Sequence, residues 1–168
     1  MRVLGLDTST TSTGYAIIDN GKLIDYGCIK PPKDLDTIDR IIYIEKEVKE
    51  IIFKKEIEYV VIEELAIMRN GLTAKILAGL LYHLIIEFRK RELLTVLVRP
   101  SEARKGRITG KNRQELKKNA ITYVKAKYKK DVNDDEADSI ILAEYGSELD
   151  IEWGRIWKQK LNNFYYTY

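Results

Sequence analysis

Four carboxylates in this chain stand where side chains can do chemistry together. Asp7 closes an apolar run, Val3-Leu4-Gly5-Leu6, and Glu63 closes another, Tyr59-Val60-Val61-Ile62. Asp135 and Asp138 are three apart in Asp134-Asp135-Glu136-Ala137-Asp138-Ser139, where a helix should start. Residues at i and i+3 share a face of a helix. Acids at two strand ends and on one helical turn can therefore converge on a point. Converged carboxylates repel one another unless cations fill the middle. Oxygen ligands with no cysteine among them, in a chain with one histidine, favour Mg²⁺ or Mn²⁺ over Zn²⁺. Two such ions ~3.5–4 Å apart would activate a water and stabilise the leaving oxygen of a phosphodiester. Each acid also has a plain alternative. Asp7 can accept from turn N–H groups, Glu63 or Glu64 can end a strand in solvent, and Asp134 or Asp135 can cap a helix that Asp138 favours through its dipole. All four alternatives holding together is much the weaker account, because the placement is coherent.

The elements that must position these acids read as follows. Arg2–Asp7, Tyr15–Asp19 and Lys22–Ile29 are strands, the last two joined by the hairpin signal Asn20-Gly21. A hydroxyl-rich turn, Ser9 to Gly14, joins the first two. Helical apolar spacing covers 35–55, and Tyr59–Glu63 is a buried-type strand. A long helix over Leu72–Arg91, a fifth strand at Thr95–Val98, a basic loop from Arg99 to Lys111, a basic helix over Arg113–Lys130 and a last helix over Glu136–Glu148 follow. Three antiparallel strands and then alternating helix and strand predict an α/β fold, a mixed five-stranded sheet flanked by helices. If the strands ending in Asp7 and Glu63 are parallel neighbours, both acids emerge at the sheet edge where such folds place their sites. Side-chain alternation sends Glu64 to the face opposite Glu63.

The 168 residues, 45% apolar and 33% charged, fit one domain over 1–148 with an aromatic-rich tail over 149–168. No apolar run approaches the ~20 residues of a membrane span, no signal-peptide pattern is present, and Cys28 alone allows no intrachain disulfide. A cytoplasmic protein with no membrane partner is the expectation. The net charge of +3 hides a strong asymmetry. Residues 99–130 carry twelve Lys/Arg against two acids, and residues 131–150 carry eight acids and no base. That pairing predicts a phosphate-binding surface beside a metal site; a solvated lysine-rich helix face accounts for the charge equally well.

The residues also resemble a known family. An Asp on the first strand, Ile-Glu on the fourth and Asp-x-x-Asp on the last helix resemble the RuvC-like Holliday junction resolvases of the ribonuclease H-like superfamily. Leu4-Gly5-Leu6-Asp7-Thr8-Ser9 with Thr13-Gly14-Tyr15 looks like the family's opening hairpin. Val61-Ile62-Glu63-Glu64, Met68-Arg69-Asn70 and Thr73-Ala74 look like its second acid and the helix after it, and Asp135-Glu136-Ala137-Asp138-Ser139 like its terminal motif. Arg99-Pro100-Ser101-Glu102-Ala103-Arg104-Lys105 through Gly110-Lys111 looks most like the bacteriophage branch. The likeness covers about residues 1–146. It implies a homodimer on a four-way DNA junction, each subunit nicking one of two opposed strands with Mg²⁺, for which Mn²⁺ would substitute. It implies two ions per site: Asp7 bridging both, Glu63 holding one, and Asp135 with Asp138 holding the other or both. Arg69, Asn70, Lys75, Arg104, Lys105, Arg107, Lys111, Arg113, Lys117 and Lys118 are the candidate DNA contacts. Such contacts give affinity and register rather than sequence reading. Lys105 and Lys111 are the candidates for the scissile phosphate.

Other signals are weaker. Gly106 to Asn112 fails the P-loop pattern in spacing and in its last residue. His83, mid-helix and far from the acids, reads as a partly buried or surface histidine. In the tail, Trp153, Ile156, Trp157 and Leu161 fall at helical spacing. They predict a helix covering an apolar patch, with a dimer contact or base stacking as sharper readings. Asp7 to Gly14 also resembles the phosphate hairpin of sugar kinases and actin-like ATPases and the start of tRNA threonylcarbamoyladenosine accessory proteins. Those folds need a longer chain and give no reason for Asp135 and Asp138. A non-cutting junction binder and a related nuclease acting on RNA are the remaining alternatives.

Overall fold

Apolar alternation in the strands sends side chains to two faces, and each face is covered. In this computed structural model residues 1–65 and 71–149 are described, with the backbone of Tyr165–Tyr166. The elements are β1 (Arg2–Asp7), β2 (Thr13–Asp19), β3 (Lys22–Ile29), α1 (Thr37–Lys55), β4 (Tyr59–Glu63), α2 (Gly71–Lys90), β5 (Leu94–Val98), α3 (Pro100–Arg104), α4 (Arg113–Tyr128), α5 (Asp134–Glu148) and β6 (Tyr165–Tyr166). The sheet order is β3-β2-β1-β4-β5-β6. β1 to β3 form an antiparallel meander, and β4 and β5 run parallel to β1. This is the expected five-stranded mixed sheet of a ribonuclease H-like fold. The two-residue β6 extends it, parallel to β5, from a tail for which the sequence predicts a helix at 153–161; that helical stretch lies outside the described residues.

One face carries Leu4, Leu6, Ile17, Val60, Ile62 and Leu97 against α1 and α2. The other carries Val3, Ala16, Ile18, Tyr59, Val61, Val96 and Val98 against α3, α4 and α5. Contact between α5 and β1 is close because β1 presents Gly5 there. A Cβ on Gly5 would lie 2.4 Å from both the Ala143 nitrogen and the Ser139 carbonyl oxygen. Further along, the buried Tyr59 hydroxyl donates to the Gly146 carbonyl, tying β4 to the end of α5.

Caps account for the shifts in element boundaries. Helix α1 starts at Thr37 because the Asp36 carboxylate accepts from Asp39 N–H at 2.9 Å. Helix α5 starts at Asp134 because Asn133 is its cap, not Asp134 or Asp135. Asn133 accepts from Glu136 N–H while Glu136 accepts from Asn133 N–H, a reciprocal capping box. The segment expected as a basic loop contains α3, entered through Pro100 at its first turn, where a missing N–H costs nothing. Helix α2 corrects the expectation that nothing approaches spanning length. Among the described residues it is long and apolar enough to cross a membrane by length and composition. Leu80, Leu81, Leu84, Ile85 and Phe88 on its inner face are buried in the core. His83 pairs with Glu45 of α1 at 2.8 Å, remote from the acids.

Candidate active site

The parallel pairing of β1 with β4 sets Leu6 opposite Ile62, so Asp7 and Glu63 follow side by side at one end of the sheet. Both share parity with the residues that face α5, Val3 and Gly5 in β1 and Tyr59 and Val61 in β4. The two carboxylates therefore turn toward α5, where Asp135 and Asp138 occupy the first turn and the start of the second. Glu64 falls outside this group: its carboxylate accepts from Arg99 Nε at 3.4 Å.

The acids bear on one another through their charges. Burial pushes the Asp7 carboxyl up to about 7, with the nearby charges of Asp138 and Asp135 adding to it and Arg104 and Lys117 opposing. Burial likewise pushes Glu63 up to about 8, helped by Asp7 and Asp138 and opposed by Arg104 and Arg113. Among the described residues, no hydrogen bond or ion pair holds either carboxylate. The α5 acids are engaged. Ser12 Oγ donates to Asp135 Oδ2 at 2.6 Å, and Arg104 Nη2 donates to Asp138 Oδ1 at 3.0 Å. Lys117 Nζ donates to Asp134. With Asp135 and Asp138 turned onto these donors, no three ligating side chains among the described residues close around one point. The donor set itself fits hard divalent cations. It is all oxygen, and two of its carboxylates, the half-buried Asp7 and Glu63, have no hydrogen bond among the described residues to offset their charge.

The basic candidates divide. Arg104, Arg113 and Lys117 bear on the acids through their charges, as the opposing influences on Asp7 and Glu63 record. Lys75, Lys105, Lys111 and Lys118 are exposed. Arg107 departs from its expected place on a DNA surface. It turns inward, its side chain 9% exposed, to donate from Nε to Glu144 at 2.7 Å and from Nη2 to Glu148. A guanidinium with two carboxylate partners is already neutralised, which is why a basic segment need not be basic at every position. Arg69 and Asn70 lie outside the described residues.

Two residues that sequence reasoning passed over belong to the surroundings of the site. Ser12 sits in the turn read only as hydroxyl-rich. Glu144, 3% exposed, accepts from Arg107, Tyr123 (2.6 Å) and Tyr128 (2.7 Å), with Lys127 at 3.1 Å. Burial pushes the Glu144 carboxyl up, but the hydrogen bonds from Tyr123, Tyr128 and Arg107 outweigh it and hold the group below its ordinary value. The signal was an acid seven residues after Ala137 in a run of Ile141-Leu142-Ala143, on a face that had to be buried. This node ties α4 and the turn after α3 to the helix bearing Asp135 and Asp138.

Comparison with known proteins adds to this geometry. A relative from Fusobacterium nucleatum subsp. nucleatum, named crossover junction endodeoxyribonuclease RuvC, is 31% identical over 121 residues, 70% of this chain and 63% of the relative. One of the same name from Caldicellulosiruptor saccharolyticus is 40% identical over 79 residues, 44% of this chain and 48% of the relative. The matched stretches thus span less than two thirds of those proteins. Among solved structures, Thermus thermophilus RuvC in complex with Holliday junction substrate superposes with a TM-score of 0.72 at 17% identity, covering 86% of this chain and 91% of that one. Fowlpox virus resolvase, solved with Holliday junction DNA, gives 0.59 at 18%, covering 88% and 97%. At such identities these two support the ribonuclease H-like fold alone. The family described as crossover junction endodeoxyribonuclease RuvC matches residues 3–144. With its acids on β1, β4 and α5, the chain belongs to the RuvC family.

Proposed function

We propose that this protein is a metal-dependent endodeoxyribonuclease that resolves four-way DNA junctions by paired phosphodiester hydrolysis. The observation that carries the reading is the pair of half-buried carboxylates, Asp7 and Glu63, on adjacent parallel strand ends, with the charge of Asp138 raising both and that of Asp135 raising Asp7. Asp7, Glu63, Asp135 and Asp138 would hold the metal, Asp138 by turning from Arg104. A divalent requirement accompanies the family. Mg²⁺, with Mn²⁺ substituting, and two ions per site are the finer reading. When bound, the ions supply an activated water and charge stabilisation at the leaving oxygen.

The chain's own residues account for the rest. Arg104, released from Asp138, and Arg113 and Lys117 on the same side meet the negative charge that builds on the phosphate. Lys105, Lys111, Lys118 and Lys75, with Arg69 and Asn70 before α2, would grip the flanking strands. These contacts carry no base reading, which suits a substrate recognised by its branching. Paired nicks need two sites, and the outward face of α2 supports a homodimer. Leu72, Gly79 and Ile86 recur every seven residues with Tyr82 between, an a/d-like stripe, and Leu72, Tyr82 and Ile86 are 69%, 49% and 52% exposed.

The test is cleavage of mobile four-way junctions, Y-forks and linear duplex with Mg²⁺. Junctions should be cut in preference to duplex, and Asp7→Asn should abolish cutting. Preference for linear duplex, or for an RNA substrate, would overturn the assignment.

A further inference from the structure

Ser12 is separated from Asp135 by 123 positions, yet its hydroxyl donates to Asp135 Oδ2 at 2.6 Å. That distance is in the range of strong hydroxyl–carboxylate bonds. The turn presenting Ser12 is fixed from both sides. Within it, Thr13 Oγ1 donates to the Ser9 carbonyl at 2.6 Å and accepts from Ser9 N–H at 3.2 Å, while Thr11 N–H donates to Ser9 Oγ. Thr13 is fully buried. Across from it, Gly14 abuts the backbone of Asp135 itself: a Cβ at Gly14 would lie 2.2 Å from the Asp135 carbonyl oxygen. The hydroxyl is therefore delivered by a turn packed directly on the backbone of α5.

We propose that Ser12 is a positioning residue for Asp135. By occupying Oδ2 it fixes the carboxylate rotamer and leaves Oδ1 as the oxygen offered to a divalent cation. This inference rests on the metal-site reading above and deepens it. The neighbouring acid Asp138 is held by Arg104, a cation that must yield to the metal, whereas the Ser12 bond is compatible with a bound ion and persists through binding. Hydrogen-bond partners of this kind orient ligands before the metal arrives, and their loss typically costs ~10–100-fold in affinity or activity.

The test is calorimetric titration of the full chain with Mn²⁺ alone, at pH 8, with melting curves in EDTA beside it. Ser12→Ala should weaken Mn²⁺ binding about tenfold with little change in the EDTA melt, and Ser12→Thr should restore binding. A purely structural role would move the melt and leave the affinity. If Ser12→Ala lowers the melt, Ser12→Cys, which keeps the shape with a weak donor, carries the comparison. Wild-type affinity in Ser12→Ala or Ser12→Cys, while Asp135→Asn loses Mn²⁺, overturns the role of Ser12 and leaves the metal site standing. Mn²⁺ binding that is absent in the wild type, or indifferent to Asp7→Asn and Asp135→Asn, overturns the metal site itself.

Discussion

Replacing Asp7 by Asn should make the metal-stripped protein more stable at alkaline pH while removing its activity. In the fold the Asp7 carboxyl sits at about 7, against an ordinary 3.8. Between those values the folded chain holds a proton that the unfolded chain has lost, so stability falls as pH rises from about 4 to about 7 and then levels off. At ~1.36 kcal/mol per pH unit, the ionised Asp7 costs the fold on the order of 4 kcal/mol above that window. Asparagine removes the charge but brings an amide that needs partners in the same half-buried place, so part of the gain is lost. Urea unfolding in EDTA at pH 8.5 should show Asp7→Asn more stable by roughly 1–3 kcal/mol, and its melt higher by about 2–4 °C for each kcal/mol. At pH 5.5, about 1.5 pH units below the folded value, part of the penalty remains, so the advantage should shrink by roughly 2 kcal/mol. With saturating Mg²⁺ the order should reverse, because only the wild type gains from ion binding. A variant destabilised at pH 8.5 in EDTA, or stabilised equally at both pH values, would refute the account of Asp7 as a charge held against its own environment.

Four further outcomes are expected. Gly14→Ala should cost ~3 kcal/mol or more, since its methyl meets the Asp135 backbone rather than a side chain that can turn away, and junction cutting should be lost with it; urea curves and junction gels check both. Arg107→Ala should destabilise by ~3–5 kcal/mol by leaving Glu144 buried and short of a cation, with no change in the salt dependence of junction binding. Lys118→Ala should be neutral in stability and lower the salt slope by about 1; gel shifts across a salt series would return Arg107 to the DNA surface if the two patterns were exchanged. Ile86→Glu, on the exposed stripe of α2, should give monomers in sedimentation and cut the two strands independently rather than in pairs; an unchanged dimer would move the interface elsewhere.

The strands and their terminal acids were legible because period-2 alternation and apolar runs directly encode which face a side chain takes. Once β1 and β4 are parallel neighbours, the adjacency of Asp7 and Glu63 follows from chain direction alone. The basic segment was legible only in bulk. Net charge records how many cations there are, not which have partners, and Arg107 is indistinguishable from Arg104 until α5 is laid beside both. Ser12 was hidden for a different reason. Its meaning depends on Gly14 letting the turn touch α5, a contact between segments more than a hundred residues apart. The cap of α5 went to Asn133 rather than to the adjacent aspartates because only Asn133 pairs reciprocally with Glu136.

The fit of Gly5 and Gly14 against α5 bears on how the protein is made. Asp7 lies in β1, more than 120 residues ahead of the surface that completes its surroundings, which residues 135–146 contribute. At ~5–20 residues per second, the ribosome needs on the order of ten seconds to join the two. During that interval Leu4, Leu6 and Ile17 can already pack with α1 and α2, while the opposite side of the sheet stays open. A nascent chain that has not yet reached Asp135 thus lacks two of the four acids. The acid cluster is completed only when α5 is laid on the sheet, so a message interrupted before that helix yields a fragment with half of the proposed metal site.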